Sequence, residues 1–350
     1  MRVAIDATPL TLSSGGLQRY VEELSVALAE NFPQDEFCLV SDQPFQMPPA
    51  APLNLRRGNG PRNAAERRWW LWGLNRELDR LEAELFHGAD FAVPYLARRP
   101  SVLTLHDLSP WMDSGWHSDA ARVRERTPLL IGLGLTTLIV TPSEAVRRQA
   151  IEKFRIHPDR VRAVPHAASA CFRPVAVPAG PPYFLYAGTL EPRKNIAGLL
   201  AAWREVRRVH QVDLVLAGRR RVDFAQLSPE AGLQIMGEVS DERLAELFAG
   251  ALAFVYPSFY EGFGLPVLEA MQCGACVITS RDPAIAEVAA GAALLVGSHE
   301  ELVRAMLEVA AHPERTDAWR ERGLRRAANF SWRRTAQLTH QVYEEALDRF

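Results

Sequence analysis

Two glutamates stand eight residues apart in the stretch Tyr256 to Cys276, which reads YPSFYEGFGLPVLEAMQCGAC. They are Glu261 and Glu269, and Gly262, Phe263, Gly264 and Leu265 follow the first of them. The apolar run LAFVYP leads in and reads as a buried strand. Pro266 suits the first turn of a helix, where its missing N–H costs nothing, and Val267, Leu268 and Met271 fall on one helical face. The free N–H groups near Phe263, Gly264 and Leu265 then point out of a helix start, which draws anions and phosphates above all. The stretch offers an anion cradle with a carboxylate on either side. A second constellation is Gly188-Thr189-Leu-Glu-Pro-Arg193-Lys194-Asn195. Asn195 is placed to cap a helix, and two cations on a loop beside a helix start suit a diphosphate. A third is His106-Asp107, at the carboxyl end of the short apolar run Ser101–Leu105, where α/β folds hold their chemistry. Taken singly, a capping loop, a solvated charge pair and a core histidine would read the same way.

These groups need strands and helices to hold them. Arg2 to Asp6 reads as a first strand, followed by the loop TPLTLSSGG and a helix from Leu17 to Asn31 with Tyr20, Leu24 and Leu28 on one face. Gly15-Gly16 before it is another anion-accepting helix start, though not the G-x-G-x-x-G of a dinucleotide site. Strands follow at Glu36–Ser41, Leu85–Gly88, Ser101–Leu105, Thr137–Thr141 and Val161–Val164. Gln43 to Arg62 reads as irregular and proline-rich, and a helix runs from Glu66 to about Glu84. Ser143 caps a helix over Glu144–Phe154. The five prolines between Pro165 and Pro182 mark a linker. The alternation then starts again, with strands at Tyr183–Ala187, Val212–Ala217, Leu233–Met236, the run ending at Tyr256, Val277–Thr279 and Ala293–Val296. Arg219 follows the second of these, and Gly237 to Val239 the third. Asn195, Ser240 and Ser298 are N-caps, the last with Glu301 at capping-box spacing. The final segment, Phe330 to Phe350, is one helix with Ala336, Leu338, Val342 and Leu347 as buried positions. Two such arrays predict an α/β protein of two doubly wound domains, with a cleft between their strand ends.

Composition narrows the function. The chain has 350 residues, is 48% hydrophobic and carries a net charge of −2, so it can fill two cores. Basic and acidic residues balance in both halves, which argues against nucleic acid as a partner. The first strand begins at Arg2, so no signal peptide is expected. The charge-free run Thr127–Ser143 is broken by Pro128, Gly132, Gly134 and Pro142 and is short for a membrane span. Four cysteines make no disulfide scaffold; the C-x-x-C of Cys273 and Cys276 reads as packing at a helix end. The expectation is a cytoplasmic protein. Trp69, Trp72 and Arg76 share a helical face, either as a surface touching a lipid-linked acceptor or the membrane interface, or packed inward, which the shortness of the patch favours.

The pattern E-G-F-G-L-P-x-L-E, continued by Ala270-Met271 and Gly274, resembles the two-glutamate motif of the GT4 family of retaining glycosyltransferases, and G-T-L-E-P-R-K-N and H-D-L-S-P resemble forms found among its bacterial mannosyl- and rhamnosyltransferases. The resemblance implies the GT-B fold: two Rossmann-like domains facing across a cleft, 1–170 for the acceptor and 171–330 for the nucleotide-sugar donor, with helix 331–350 crossing back to the first. It implies a hexose, first of all mannose from GDP-mannose, moved to a glycan or lipid-linked acceptor in bacterial surface polysaccharide synthesis. UDP- and dTDP-sugars stay open as donors. Catalysis would fall to His106, Glu261, Arg193 and Lys194. The donor would lie along Gly15, Gly16, Gly188, Thr189, Arg193, Lys194, Arg219, Gly237, Val239, Glu261, Gly262, Phe263, Gly264 and Leu265, with Glu269 on the ribose hydroxyls. Asp107, Trp111 and His117 would meet the acceptor. Many family members have arginine where this chain has Thr189, so Arg193 must supply the guanidinium. No D-x-D motif is present, so no metal and no cofactor are expected. The alternatives are a nucleotide-sugar epimerase of the same fold, needing no acceptor, and a binding subunit that turns nothing over. An NAD-dependent dehydrogenase lacks its glycine fingerprint.

Overall fold

The structure is a computed structural model that describes residues 1–11, 15–49, 51–113, 115–116, 120–178 and 180–350. Its contacts divide the chain into two compact units, one of residues 1–112, 117–166 and 331–350, the other of residues 113–116 and 167–330.

The first unit holds a parallel sheet of β1 (Arg2–Asp6), β2 (Glu36–Val40), β3 (Leu55–Arg57), β4 (Leu85–Gly88), β5 (Ser101–Thr104), β6 (Leu138–Thr141) and β7 (Val161–Ala163), in the order β3-β2-β1-β4-β5-β6-β7. Ala4 pairs with Cys38 on one side and Phe86 on the other. Helices α1 (Gly16–Asn31), α2 (Leu74–Arg80), α3 (Ala121–Gly132) and α4 (Glu144–Phe154) lie between the strands. The inner strands are buried along nearly their whole length, as parallel strands with helices on both faces must be.

The second unit repeats the plan with β8 (Tyr183–Ala187), β9 (Asp213–Ala217), β10 (Leu233–Gly237), β11 (Ala253–Tyr256), β12 (Val277–Ser280) and β13 (Leu294–Val296), in the order β10-β9-β8-β11-β12-β13. Its helices are α5 (Ile196–Arg207), α6 (Asp241–Gly250), α7 (Leu265–Gln272), α8 (Pro283–Ala289), α9 (His299–Ala311) and α10 (Asp317–Ala327). The last helix, α11 (Trp332–Arg349), belongs to the first unit, where it packs on α1. In each sheet the strand order reverses once, between β1 and β4 and between β8 and β11. Such reversals open a crevice at the carboxyl ends of the strands.

The expected caps form. Ser143, Asn195, Ser240 and Ser298 each accept a hydrogen bond from the backbone N–H three residues on, at 3.2 to 3.3 Å, and Ser331, not singled out from the sequence, caps α11 in the same way. Glu301 turns back to Gly297 N at 2.7 Å, one residue ahead of the cap. Cys273 and Cys276 are buried free thiols in the packing below α7.

Several elements differ from expectation. The stretch Gln43–Arg62 is not wholly irregular: Leu55–Arg57 pairs with β2 and closes that edge of the sheet. The helix expected from Glu66 to Glu84 is instead a five-residue π turn, Trp69–Gly73, continued by the short α2. Gly73 N reaches back to Arg68 O, and a Cβ at Gly73 would lie 2.0 Å from Glu66 O, so only glycine lets the chain fold back this closely. The tryptophans divide: Trp69 is core, and Trp72 is 45% exposed. On α11, Ala336 and Val342 are buried, but Leu338 and Leu347 are only half-buried. The buried face runs through Thr335, Thr339, His340, Tyr343 and Ala346. It can carry polar groups because the first unit supplies partners: Tyr343 Oη lies 2.6 Å from His87 Nδ1, and His340 Nε2 lies 2.7 Å from Asp35 Oδ2.

Candidate functional site

At the reversal point of the second sheet, β8 runs into a 3₁₀ turn, Pro192–Lys194, that enters α5. Asn195 takes the left-handed conformation at φ 55° and caps α5 with its side chain, fixing the turn. The turn places Arg193 and Lys194, both more than nine-tenths buried, against the end of β11. Lys194 Nζ lies 2.5 Å from Glu261 Oε1 and 2.8 Å from Tyr256 Oη. Arg193 donates to Glu191 Oε1 at 2.9 Å and to Tyr260 O at 3.0 Å, and stands 3.5 Å from Glu261 Oε2. Arg221 donates to the other Glu191 oxygen at 3.0 Å. Three guanidinium or ammonium groups thus face two carboxylates in one dry network.

Burial pushes the Glu261 carboxyl up, but Lys194 and then Arg193 outweigh it and hold it below its ordinary range. Burial, followed by repulsion from Arg193, lowers the Lys194 ammonium. Tyr256 and Tyr186 are pushed well above 10, first by burial and next by the Glu261 charge, so both keep their protons. Asp282 completes the frame. Its Oδ1 caps α8 through Ala284 N (2.9 Å) and Ile285 N (3.1 Å), while Oδ2 accepts from Glu261 N at 3.3 Å. Its carboxyl is pushed up to about 6 by burial.

The loop Gly262–Gly264 leads from Glu261 into α7, with Gly264 as a left-handed N-cap residue at φ 95° and Pro266 in the first turn. Val267, Leu268 and Met271 are core, and Glu269, five residues past the cap, is also buried. Phe263 packs edge-on against Phe330. The strand ends around this loop approach closely: Gly188 N bonds Ala217 O, Gly218 N bonds Gly237 O, and a Cβ at Gly218 would lie 2.1 Å from Gly188 O. Thr189 O accepts from Tyr186 Oη. Val239 is half-buried beside this edge, and Arg219 is exposed and outside the ion network. The second unit therefore gathers Arg193, Lys194 and Glu261 in direct contact, with Gly188, Thr189, Gly237 and the Gly262–Leu265 loop at the same strand ends. Sequence reading missed Glu191, Arg221, Tyr256 and Asp282. Tyr256 was signalled by its place at a strand's end; the others are identified only by contacts.

In the first unit, His106 follows β5. Its Nε2 lies 2.7 Å from Ala89 O. A carbonyl only accepts, so Nε2 carries the proton and Nδ1 is left as an acceptor. Burial lowers the imidazole below 6.5, so the ring is neutral at physiological pH. Tyr20 of α1 meets it edge-on at 4.8 Å. Gly15, at φ 124°, precedes the helix that delivers Tyr20, and Gly16 is its first residue. Asp107 and Trp111 are engaged locally. Asp107 Oδ1 accepts from Ser109 N at 2.9 Å and Ser109 Oγ at 2.6 Å. Trp111 Nε1 donates to Arg124 O at 3.1 Å, and its ring sits 5.0 Å from that of Phe154. His117 lies outside the described residues. Sequence reading also passed over Asp90, whose charge acts on His106, and Asp6, which feels Asp90 and Arg126; Asp6 alone carried a signal, as the last residue of the first strand. Among the described residues, no group of three His, Cys, Asp or Glu is placed to hold a metal ion, and no helix is long and apolar enough to cross a membrane.

Comparison with known proteins agrees with this geometry. Residues 14–170 match the family model described as Glycosyltransferase Family 4, and residues 170–326 the one described as Glycosyl transferases group 1. The O-antigen chain mannosyltransferase B of Escherichia coli is 35% identical over 287 residues, 74% of each chain. An MMP alpha-(1->4)-mannosyltransferase of Mycolicibacterium hassiacum is 30% identical over 60% of this chain and 54% of its own. Among solved structures, sucrose-phosphate synthase from Thermosynechococcus elongatus superposes with a TM-score of 0.77 at 21% identity, covering 98% of both chains. Anabaena HepE, in complex with UDP-glucose, gives 0.70 at 16% identity over 98% of this chain and 100% of its own. At these identities the structures speak for the fold.

Proposed function

The chain belongs to the GT4 family of GT-B glycosyltransferases, and from that premise we propose that it transfers mannose from GDP-mannose to a hydroxyl of a glycan or lipid-linked acceptor in polysaccharide synthesis, with retention of configuration and without a metal ion. The observation that carries the reading is the buried contact of Arg193 and Lys194 with Glu261 at the start of α7. Departure of the sugar leaves charge on a diphosphate, and fixed cations beside helix starts stabilise such charge where water is excluded. Arg193, Lys194 and the first turn of α7 take this role, with Arg219 as an outer cation. Glu261 keeps the two cations balanced while the site is empty of charge, since an unpaired buried charge is expensive. With the donor bound, it positions the sugar. Glu269 anchors the ribose, and Gly237 and Val239 border the base. The first unit takes the acceptor, and the exposed Trp72 with its neighbouring arginines gives it a peripheral hold on the inner face of the membrane. Mannose is the first choice because the relatives named above are mannosyltransferases.

Thermal shift with GDP, UDP, dTDP and ADP tests the donor, since a ligand that binds only the folded state raises stability as RT ln(1 + [L]/Kd). GDP should stabilise the protein with or without EDTA, and Lys194→Ala should abolish the effect. Stabilisation by another nucleotide would replace the donor, and a requirement for magnesium would overturn metal independence. Proton NMR of the product's anomeric centre decides retention.

A further inference from the structure

We propose that Trp116 and Arg221 are positioning residues for the donor: they hold the Arg193 guanidinium in place and leave its charge free for the diphosphate. The proposal rests on the transferase reading above and adds to it two residues that act through others.

The contacts close on themselves. Arg193 Nη2 donates to Glu191 Oε1 at 2.9 Å, and the other Glu191 oxygen accepts from Arg221 Nη1 at 3.0 Å. Arg221 Nη1 also donates to the carbonyl oxygen of Trp116. The Trp116 ring stacks on that of Tyr260, with centroids 6.1 Å apart and planes 20° from parallel, a separation at which aromatic rings still attract. The carbonyl oxygen of Tyr260 accepts from Arg193 Nη1 at 3.0 Å, which returns the circuit to its start. Arg193 is thus gripped at both prongs of its fork. A guanidinium is planar and rigid, so fixing both Nη atoms fixes the plane in which it meets a phosphate.

The sheet order explains why the circuit can form. β8 lies between β9 and β11. Arg193 follows β8, Arg221 stands four residues past β9, and Tyr260 four past β11. The cation therefore sits between two flanking loops, and Trp116, which belongs to the second unit, joins one loop to the other. Such an outside anchor is needed. Glu191 lies on the same turn as Arg193, two residues before it, so a bond between those two alone would let them shift together. Arg221 and Trp116 tie that turn to chain far from it.

Charge gives the second reason. A buried carboxylate beside a single guanidinium would spend its whole attraction on it, and a diphosphate would have to displace that carboxylate. Here Arg221 shares Glu191 with Arg193. Asp223 pairs with the outer side of Arg221, but it is exposed, and water screens it. Removing Arg221 would turn Glu191 wholly on Arg193 and weaken the pull on an incoming anion, while a neutral nucleoside would feel little change.

Calorimetry with GDP, saturation-transfer NMR with guanosine and urea unfolding test this in Trp116→Ala, Trp116→Phe and Arg221→Gln; if another nucleotide is the one that binds wild type, that diphosphate and its nucleoside take their place. The Kd for the diphosphate should rise at least fivefold in Trp116→Ala and Arg221→Gln, and that for the nucleoside less than twofold. Trp116→Phe, which keeps a ring on Tyr260, should recover most of the affinity. Trp116→Ala should lower the urea midpoint of wild type at least twice as much as that of Arg193→Met, in which the circuit is already open. Unchanged diphosphate binding, a parallel weakening of the nucleoside, or equal unfolding losses in the two backgrounds would overturn the proposal. Failure of every nucleotide to bind wild type would overturn the donor assignment and the positioning role with it; the unfolding cycle needs no ligand and separates that outcome from failure of the circuit itself.

Discussion

Replacing Lys194 by methionine keeps most of its volume and removes its charge. The partners left behind determine the outcome. Glu261 would remain buried, facing only Arg193 at 3.5 Å, while Tyr256 Oη would lose its 2.8 Å donor. Removing one member of a buried ion pair typically costs about 3–5 kcal/mol. The nearby Arg193 recovers part of this, so a loss of about 2–3 kcal/mol is expected near pH 8, or roughly 4–12 °C in melting temperature for a unit of this size. The loss must depend on pH. In wild type the Glu261 carboxyl is held below its ordinary value of 4.5, so its stabilising charge is present above that value and disappears only as pH falls through the lower folded value. Without Lys194, burial prevails and the carboxyl moves upward. It then takes a proton as pH falls towards 5, and the unpaired charge vanishes. The variant should therefore be most destabilised at pH 8 and recover towards wild type at pH 5. Urea unfolding at both pH values, with Glu261→Gln and the double variant, completes the cycle. The double variant should lie closer to wild type than the sum of the singles, because neither charge is left alone. Equal losses at the two pH values, or additive losses in the double variant, would refute the account of this network. In activity, Lys194→Met should lower kcat at least 100-fold if it faces the departing diphosphate, in the range seen for lost charge-stabilising donors.

Three further outcomes follow from the geometry. Gly218→Ala should lose about 2 kcal/mol or more, since its Cβ would meet Gly188 O at 2.1 Å, whereas Gly237→Ala, with nothing within 4 Å, should lose only about the 1 kcal/mol of a left-handed backbone; thermal melts separate the two, and similar losses would show that the strand-end contact does not matter. Tyr343→Phe strands His87 Nδ1 in the core and should cost about 1–3 kcal/mol by urea unfolding, with nucleotide binding unchanged. Asp6, pushed up to about 7 by burial, binds a proton more tightly when folded, so its share of stability is complete below an ordinary carboxylate value and is lost as pH rises through 7. Asp6→Asn should thus gain on wild type as pH is raised from 5 to 8, and parallel pH profiles of the two would contradict this.

How much of this was legible in the sequence depended on the range of the interaction. Parallel strands such as Tyr183–Ala187 and Ala253–Tyr256 announce themselves because both faces are buried and every residue must be apolar. Caps such as Asn195 and Ser240 are equally legible, since donor and acceptor lie three residues apart. The edge strand Leu55–Arg57 gives no such signal, as two of its three residues are exposed. The buried face of α11 escaped for the opposite reason. Thr339, His340 and Tyr343 look like a solvent face by composition, and the partners that admit Tyr343 and His340 to the core lie 256 and 305 residues away.

The same distinction explains what could be read of the site. Arg193, Lys194 and Glu261 were each legible from local signs, but their mutual contact spans 67 residues of chain and was not. That contact changes the physics. Burial takes Arg193 and Lys194 out of water, and Glu261 balances charges that would otherwise stand alone there. The sheet order supplies the reason they meet. With β8 beside β11, the loop after β8 and the loop after β11 must open on the same crevice, whatever their separation in sequence. The first sheet obeys the same rule at β1 and β4, so Asp6 and Asp90 come together although 84 residues part them.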